Sequence, residues 1–187
     1  MATQGSLIND EPRIQGLKLD LEFITRAEEL ALLNCIRPLE FHEMKMRGVV
    51  ARRGVLRYGV QYSFETFKAT PGPPIPDFLL PLRAKAAGFA GTADEALAEA
   101  LITEYAPGAT IGWHRDAAPF DIVVGISLAS ACRFRFRRGK VREWDTAEFT
   151  LPPRSAYVLD GPARREWEHS IPAVKELRYS VTFRTLR

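Results

Sequence analysis

Short extended segments separated by turn signals fill the second half of this 187-residue chain, and this pattern limits the fold more than any other feature. About eight such segments follow one another from Leu101 onward, and no helical pattern separates them. A parallel fold built from βαβ units requires a helix between consecutive strands. Antiparallel strands need only turns, so the pattern predicts a double-sheeted jelly roll. The predicted strands are residues 101–105, 110–113, 122–128, 132–137, 148–151, 155–159, 167–170 and 178–184.

The first helical pattern lies near the N-terminus. Thr25 and Glu28 form a capping box, because the threonine hydroxyl and the glutamate carboxylate can each accept a hydrogen bond from a backbone N–H at the start of a helix. Apolar residues then recur at helical spacing until Ile36, and Pro38 ends the run. We predict that this helix covers one face of a sheet.

Two further helices are predicted before the strands begin. Asp77 is a suitable N-cap for a helix that ends near Ala87, and the alanine-rich residues Ala93 to Ala100 predict another. Residues 49–67 alternate as extended structure does, and the proline-rich residues 70–76 predict a loop. The expected fold class is therefore α+β, mainly β, with a jelly-roll core and N-terminal helices packed on one sheet.

Length and composition suit one folded domain. The chain has 46% hydrophobic and 26% charged residues, which is typical of globular proteins, and two separate cores would each be small. We expect a loose tail at residues 1–13 and a single domain at residues 14–187. No apolar run is long enough to cross a bilayer and no secretory signal is present, so we expect no membrane association and a cytoplasmic location. Because only Cys35 and Cys132 are available, any metal must be bound by histidine and carboxylate.

Arginine-rich clusters make the charge distribution uneven. The formal net charge is only +3, from 26 basic and 23 acidic residues, but basic residues concentrate at 47–57 and 133–142. Such clusters permit a nucleic-acid-binding face. They are also typical of solvated protein surfaces, so charge alone leaves the partner open.

Two histidines and an aspartate have the spacing of a metal site. His114 and Asp116 are two residues apart, so an extended backbone directs both side chains to one side, where they can bind one ion. His169 ends a predicted strand and would complete the set if the jelly roll brings these strands together. Two histidines and one carboxylate form the facial triad that holds Fe(II) and leaves positions open for oxygen and a co-substrate. A hydrogen-bonded histidine beside a turn aspartate is the alternative.

The last predicted strand carries arginine at both ends of one face. Arg178, Ser180, Thr182 and Arg184 share that face. The guanidinium groups could bind a small dicarboxylate in a bidentate manner, whereas a polar face exposed to solvent is the alternative. Tyr105 ends another predicted strand, where its hydroxyl could point into the cavity that holds the dicarboxylate. The alternative is an ordinary half-buried tyrosine of a strand.

The order of these motifs resembles that of the AlkB family of Fe(II)- and 2-oxoglutarate-dependent dioxygenases. The similarity begins near Ile14 and is densest in Tyr105-Ala106-Pro107-Gly108, His114-Arg115-Asp116, Gly125-Ile126-Ser127-Leu128 and Arg178-Tyr179-Ser180-Val181-Thr182-Phe183-Arg184. It implies a double-stranded β-helix (jelly roll) core with iron held by His114, Asp116 and His169. It also implies that Arg178 binds the distal carboxylate of 2-oxoglutarate, that Tyr105 donates a hydrogen bond to this co-substrate, and that Arg184 lies near its other end.

Three positions depart from the family pattern. Thr103 and Ser180 stand where the family has asparagine. A hydroxyl can still accept or donate a hydrogen bond, so we expect Ser180 to serve in co-substrate binding with altered geometry. Ala118 stands where DNA-repair members carry an acidic residue near the damaged base, so base preference cannot be transferred to this chain.

The resemblance implies oxidative dealkylation of N-alkylated nucleobases in DNA or RNA, with consumption of O2 and release of formaldehyde, succinate and CO2. Enzymes of this kind take a base out of its stack. We expect single-stranded DNA or RNA, rather than intact duplex, as the partner, and a monomeric protein. The candidate substrate contacts are Arg52, Arg53 and Arg57 for phosphate, and Tyr58, Tyr62 and Trp113 for the pocket. Core packing is the alternative for the three aromatic residues.

Other functions remain open at this point. Within the same family, the chain could modify RNA, particularly tRNA, or hydroxylate protein side chains. A non-catalytic basic jelly-roll module that binds nucleic acid is a more distant alternative, because such a module has no need of both histidines, the aspartate and both arginines.

Overall fold

The computed structural model describes residues 14–46, 49–63 and 68–187. The tail predicted for residues 1–13 lies outside these ranges, as do the side chains of residues 42–52 and 61–69. The strands are β1 (Leu17–Asp20), β2 (His42–Met46), β3 (Val49–Ser63), β4 (Lys68–Pro71), β5 (Leu97–Tyr105), β6 (Ile111–His114), β7 (Phe120–Leu128), β8 (Cys132–Lys140), β9 (Glu143–Leu151), β10 (Ala156–Leu159), β11 (Glu168–Ile171) and β12 (Arg178–Leu186). The helices are α1 (Arg26–Ile36), α2 (Leu80–Ala90) and α3 (Gly161–Arg165).

Two sheets of antiparallel strands form the core of the fold. In the described part of the chain, the larger sheet has the strand order β1-β10-β7-β12-β5-β3-β2, and β4 also pairs with β3. The smaller sheet has the order β6-β11-β8-β9. This mainly β, two-sheet architecture confirms the predicted fold class, and each of the eight predicted strands overlaps an observed one.

The N-terminal helices pack on the outer face of the larger sheet, as predicted. The capping box of α1 is present, because the Glu28 N–H donates to the Thr25 hydroxyl at 3.2 Å and the Thr25 N–H donates to the Glu28 carboxylate at 2.7 Å. Apolar side chains of α1 and α2 form one buried core with alternate residues of β7, β10 and β12. Its members include Leu32, Leu33, Ile36, Leu82, Ala86, Ala87, Val124, Ile126, Val158, Val181 and Phe183.

The helix predicted for Ala93–Ala100 is wrong. A short 3-10 turn, Asp94–Ala96, is followed directly by β5. This strand lies between β3 and β12 and is buried on both faces, with Leu97 and Ala100 fully inaccessible. Alanine's helix preference amounts to less than about 1 kcal/mol per residue, so strand pairing and burial outweigh it.

Two boundaries also differ from prediction. The N-cap of the 3-10 turn Asp77–Leu79 is Pro76 rather than Asp77, and α2 starts after that turn. The loop predicted for residues 70–76 begins later, since residues up to Pro71 pair with β3. Among the described helices, none is long and apolar enough to span a membrane.

Candidate active site

The inner face of the larger sheet, opposite the helices, carries the polar residues of β5 and β12. Directly opposed residues of antiparallel strands share a face, so the register defines rows of neighbouring side chains. Arg178 lies opposite Tyr105, Ser180 opposite Thr103, and Arg184 opposite Glu99. Tyr105 packs in one buried cluster with Phe134 and Phe136 of the smaller sheet. Arg178 is only 1% exposed and Ser180 only 6%, which excludes the solvent-facing alternative for this strand.

His114, Asp116 and His169 meet between the two sheets. Their potential ligand atoms all lie within 4.8 Å of one another. Because β6 and β11 are adjacent, the register places His114 opposite His169, and the two ring centroids are 4.3 Å apart. The Asp116 Oδ2 atom lies 3.5 Å from His169 Nε2. Two imidazoles and a carboxylate in this arrangement suit non-haem Fe(II).

Contacts with the smaller sheet orient the two imidazole rings. The His114 Nδ1 atom lies 2.9 Å from the Gly112 carbonyl oxygen. A ring nitrogen that donates to a carbonyl leaves the other nitrogen with the lone pair that a metal requires. The Phe134 and Phe136 rings lie 5.5 and 6.2 Å from the His169 ring, centroid to centroid. Among the described residues, His169 Nδ1 is buried and has no hydrogen-bond partner.

The Asp116 carboxylate is held in its ionised form. Burial raises its pKa, but Arg184, His169 and His114 together lower the pKa well below its ordinary value. The Arg184 guanidinium donates to Asp116 Oδ1 from two nitrogens, at 2.6 Å from Nη2 and 2.9 Å from Nε. Since Oδ1 is occupied in this way, Oδ2 is the oxygen directed toward His169.

The imidazole of His169 is held in its neutral form. Burial lowers its pKa to about 3, against the attraction of Asp116, which raises it. A histidine with this pKa is unprotonated near neutral pH. Its lone pair is therefore free for a metal ion without loss of a proton.

Arg178 supplies a buried cation with an unfilled hydrogen-bonding position. Its Nε donates to the Ser127 hydroxyl at 3.2 Å, and its guanidinium carbon lies 4.7 Å from the centroid of the Tyr105 ring. Within the described residues, Arg178 Nη1 is buried without a hydrogen-bond partner. A buried charge normally finds a counter-ion, because desolvation without one is costly. The site therefore suits a carboxylate supplied from outside the chain.

Comparison with known protein families decides which chemistry this site serves. Residues 24–184 match the family model described as the 2OG-Fe(II) oxygenase superfamily. The chain belongs to this superfamily. Oxygenases of this superfamily use Fe(II), 2-oxoglutarate and O2, and this chain carries a 2-oxoglutarate-dependent dioxygenase domain. Membership in an oxygenase superfamily favours an enzyme over the non-catalytic binding module considered from the sequence.

The relatives of this oxygenase are AlkB-like proteins. It is 31% identical over 192 residues to the alkylated DNA repair protein ALKBH8 homolog of Arabidopsis thaliana, and the match covers 89% of this chain and 54% of the relative. It is 33% identical over 110 residues to the alpha-ketoglutarate-dependent dioxygenase AlkB of Salmonella typhimurium, covering 53% of this chain and 49% of the relative. The chain thus spans about half the length of the curated relatives that it matches.

A solved structure, that of OsALKBH1, is similar in fold to the oxygenase. The TM-score is 0.70, and the match covers 91% of this chain and 96% of that one. Sequence identity is 13%, so this likeness concerns the fold alone.

Tyr157 lies in the oxygenase site, although the sequence analysis did not single it out. Its pKa is raised well above the ordinary value by burial first and then by the nearby Asp116. The Tyr157 ring lies over Gly125, at which a Cβ atom would fall 2.2 Å from the ring carbon Cζ. The glycine in the Gly125-Ile126-Ser127-Leu128 motif thus makes room for a phenol, which only the pairing of β7 with β10 reveals.

Arg164 is a second residue that the sequence analysis missed. It is 4% exposed, and its Nη2 donates to the backbone carbonyl oxygens of Asp116, Ala117 and Phe120 at 3.1, 2.7 and 2.8 Å. One guanidinium of α3 therefore holds the segment between Asp116 and β7. Its position in an arginine-rich chain carried no distinguishing local signal.

The structure places the predicted substrate residues in different parts of the fold. Arg53 and Arg57 lie on the inner face of β3, opposite Tyr105 and Leu101. The Arg57 guanidinium donates to the buried Glu99 at 3.2 Å, so it takes part in an internal ion pair. Burial lowers the pKa of Arg53, which the Tyr105 hydroxyl partly opposes.

The structure does not bring Tyr58 or Trp113 to the metal-binding trio. Tyr58 packs against the helical core on the outer face of the larger sheet, because it is opposite Ala100 in the register. Trp113 lies on the other side of β6 from His114, 5.1 and 4.6 Å from the guanidinium carbons of Arg135 and Arg137. The side chains of Arg52 and Tyr62 lie outside the described residues.

Proposed function

We propose that this AlkB-like oxygenase removes alkyl groups from the nitrogen atoms of nucleobases in single-stranded DNA or RNA. The observation that carries the proposal is the convergence of His114, Asp116 and His169 in the same site as the buried guanidinium of Arg178, whose Nη1 has no partner among the described residues. The names of its relatives support the substrate class, since they refer to alkylated DNA repair and to AlkB. In the proposal the iron ligands are His114, Asp116 and His169, and the residues that bind 2-oxoglutarate are Tyr105, Arg178, Ser180 and Arg184.

The residues of the chain have separate tasks in this reaction. Iron and 2-oxoglutarate, when bound, supply the oxidation in which one oxygen atom of O2 enters a C–H bond while 2-oxoglutarate becomes succinate and CO2. Arg178 and Tyr105 hold the distal carboxylate, and Arg184 keeps Asp116 ionised and oriented. The aromatic cluster around Phe134 and Phe136 excludes water from the site.

Loss of the alkyl group then needs no further catalyst. Hydroxylation of an N-methyl group gives N–CH2OH. The O–H electron pair then forms the C=O bond of formaldehyde, the C–N bond breaks with its electron pair going to nitrogen, and the hydroxyl proton passes to nitrogen. The products are the restored N–H, formaldehyde, succinate and CO2, so the atoms balance. A base must leave its stack to reach a site between two sheets, which favours single strands over duplex.

Mass spectrometry of a small panel of methylated oligonucleotides tests the proposal. The protein is incubated with Fe(II), 2-oxoglutarate and O2 and with DNA, RNA or a methylated peptide, and succinate is measured in parallel. We expect replacement of methyl by hydrogen in DNA or RNA, and no turnover by Asp116→Ala. Modification of the peptide alone would assign the chain to protein hydroxylation, and equal succinate formation by the Asp116→Ala variant would remove the proposed iron ligands.

A further inference from the structure

Glu99 is a fully buried carboxylate behind the site. It lies in β5 directly opposite Arg184 of β12, and its side chain is 0% exposed. Its two oxygens have different partners. Oε2 lies 2.6 Å from Arg184 Nη1, and Oε1 lies 3.2 Å from Arg57 Nη1.

Arg184 joins this carboxylate to Asp116. The guanidinium places Nη1 on Glu99, while Nη2 and Nε are both on Asp116 Oδ1. Four charged side chains therefore form one chain of ion pairs, Asp116 to Arg184 to Glu99 to Arg57, whose formal charges sum to zero. The chain begins at the predicted metal site and ends at β3.

Stability alone is a poor explanation for this arrangement. Burying charges costs desolvation energy that their mutual attraction barely repays, so well-packed apolar residues are often as stable. What buried ion pairs do supply is a defined geometry. A planar guanidinium fixed at one end by Glu99 can present its other edge to Asp116 in only one orientation. Partners that orient a metal ligand typically change metal affinity by about 10- to 100-fold when they are removed.

We propose that Glu99 is a positioning residue of the metal centre, acting through Arg184 on Asp116. It holds the guanidinium against Oδ1, so that Oδ2 stays directed toward His169, and Arg57 stabilises Glu99 from the far side. In this role Glu99 is not itself a metal ligand. This inference rests on the iron ligands named in the proposed function, and it does not depend on the identity of the substrate.

Titration calorimetry of the metal-free protein with Mn(II) alone tests the inference. We expect Glu99→Gln to raise the Kd for Mn(II) by roughly tenfold or more. The matched control is Glu104→Gln, which removes a carboxylate of the same strand on the outer face of the sheet. The Glu104 carboxylate accepts a hydrogen bond from the Tyr179 hydroxyl at 2.9 Å. This control should stay within about twofold of the natural protein, since it has no link to the site.

Arg57→Gln provides a variant that is expected to fold, because the Arg57 side chain is 27% exposed. It should raise the Kd less than Glu99→Gln does, and the double variant should show no more than the loss of Glu99→Gln alone. An unchanged Kd in folded Arg57→Gln, additive losses in the double variant, or equal behaviour of the Glu99 and Glu104 variants would overturn the role of Glu99.

A further variant separates this inference from the proposed function. If Asp116→Ala binds Mn(II) as tightly as the natural protein, the ligand set itself is wrong. If Asp116→Ala loses the metal while Glu99→Gln retains it, only the positioning role fails.

Discussion

At the residue scale, the charge states of the site are set by its immediate surroundings. Arg184 keeps the pKa of Asp116 low, and burial keeps His169 neutral, so both groups are in the form that binds a metal. Arg178 is a further buried charge of the site, and one of its nitrogens is unfilled among the described residues. This buried guanidinium is therefore suited to the carboxylate ligand proposed for it, although its burial without a full set of partners costs stability.

Replacement of Arg178 by methionine should separate ligand binding from stability. Because the guanidinium is buried and incompletely paired, we expect the free energy of unfolding without ligands to stay equal or to rise, by up to about 1–4 kcal/mol. The rise in Tm that 2-oxoglutarate causes in the presence of Mn(II) should be lost. Differential scanning fluorimetry with and without 2-oxoglutarate measures both effects. The control is Arg133→Met, at an exposed surface position, and a retained ligand-induced shift in Arg178→Met would contradict the assignment.

The metal-free protein should lose stability as pH falls below the ordinary pKa of histidine. In the unfolded chain His169 has its ordinary pKa of 6.5, but in the folded chain the pKa is about 3. Between pH 6.5 and pH 3 the His169 imidazole binds a proton only in the unfolded state. The free energy of unfolding is therefore undiminished above pH 6.5 and decreases as the pH falls below it. The loss is about 1.4 kcal/mol per pH unit, or roughly 2 kcal/mol at pH 5.

Urea unfolding at pH 7 and pH 5 measures this difference. His169→Asn should show a smaller loss between the two pH values, because the titrating group is gone. Asp116 acts in the same direction at lower pH, since its folded pKa lies below its ordinary value and its stabilisation disappears as the carboxylate is protonated. An identical pH dependence in the natural protein and the variant would be inconsistent with a buried neutral imidazole.

At the scale of elements, the site depends on how closely β7 and β10 approach each other. The Tyr157 ring occupies the space that a side chain at position 125 would need. The absence of a side chain at Gly125 on β7 therefore leaves the space that the Tyr157 ring of β10 fills.

We expect Gly125→Ala to destabilise the fold by about 1–3 kcal/mol, because the added methyl group would meet the Tyr157 ring. In the background of Tyr157→Leu, the same alanine should cost much less. A double-mutant cycle from urea unfolding measures the coupling. If the losses from Gly125→Ala and Tyr157→Leu were additive, the cost of the added methyl group would not depend on the Tyr157 ring.

At the scale of the whole molecule, the basic clusters at residues 47–57 and 133–142 lie in different surroundings. On the outer face of the smaller sheet, Arg133 pairs with Glu148 at 2.6 Å and Arg137 with Glu168 at 2.6 Å. Arg138 is likewise paired with Glu166. Carboxylates thus neutralise much of this cluster, and it serves as a solvated, ion-paired surface. Arg53 lies on the inner face of β3 opposite Tyr105, and it is the predicted phosphate contact on the same face as the site.

Salt dependence of binding to single-stranded DNA should distinguish these surfaces. A phosphate contact on a single strand contributes roughly 0.7 to the slope of log K against log salt concentration. We expect Arg53→Gln to reduce the slope by about this amount and Arg133→Gln to leave it unchanged. Fluorescence anisotropy over a range of salt concentrations provides the measurement. Loss of slope in the Arg133 variant instead would move the interface to the smaller sheet.

The sequence by itself determined the features that depend on neighbouring residues. Strand alternation, the capping box at Thr25 and the spacing of His114 and Asp116 are local patterns, and they predicted the mainly β fold and two members of the trio. His169 and Arg178 were recognisable from their order along the chain. Each of these signals is contained in a few consecutive residues or in a family pattern.

Only the tertiary structure decided which distant residues complete the site. Glu99 lies in a segment whose alanines favour a helix, and it became part of a strand because burial between β3 and β12 outweighs that preference. Tyr157 and Arg164 reach the site through the pairing of β10 with β7 and the packing of α3. The register of strands far apart in sequence sets these contacts, and no local pattern encodes it because each contact depends on the packing of both partners.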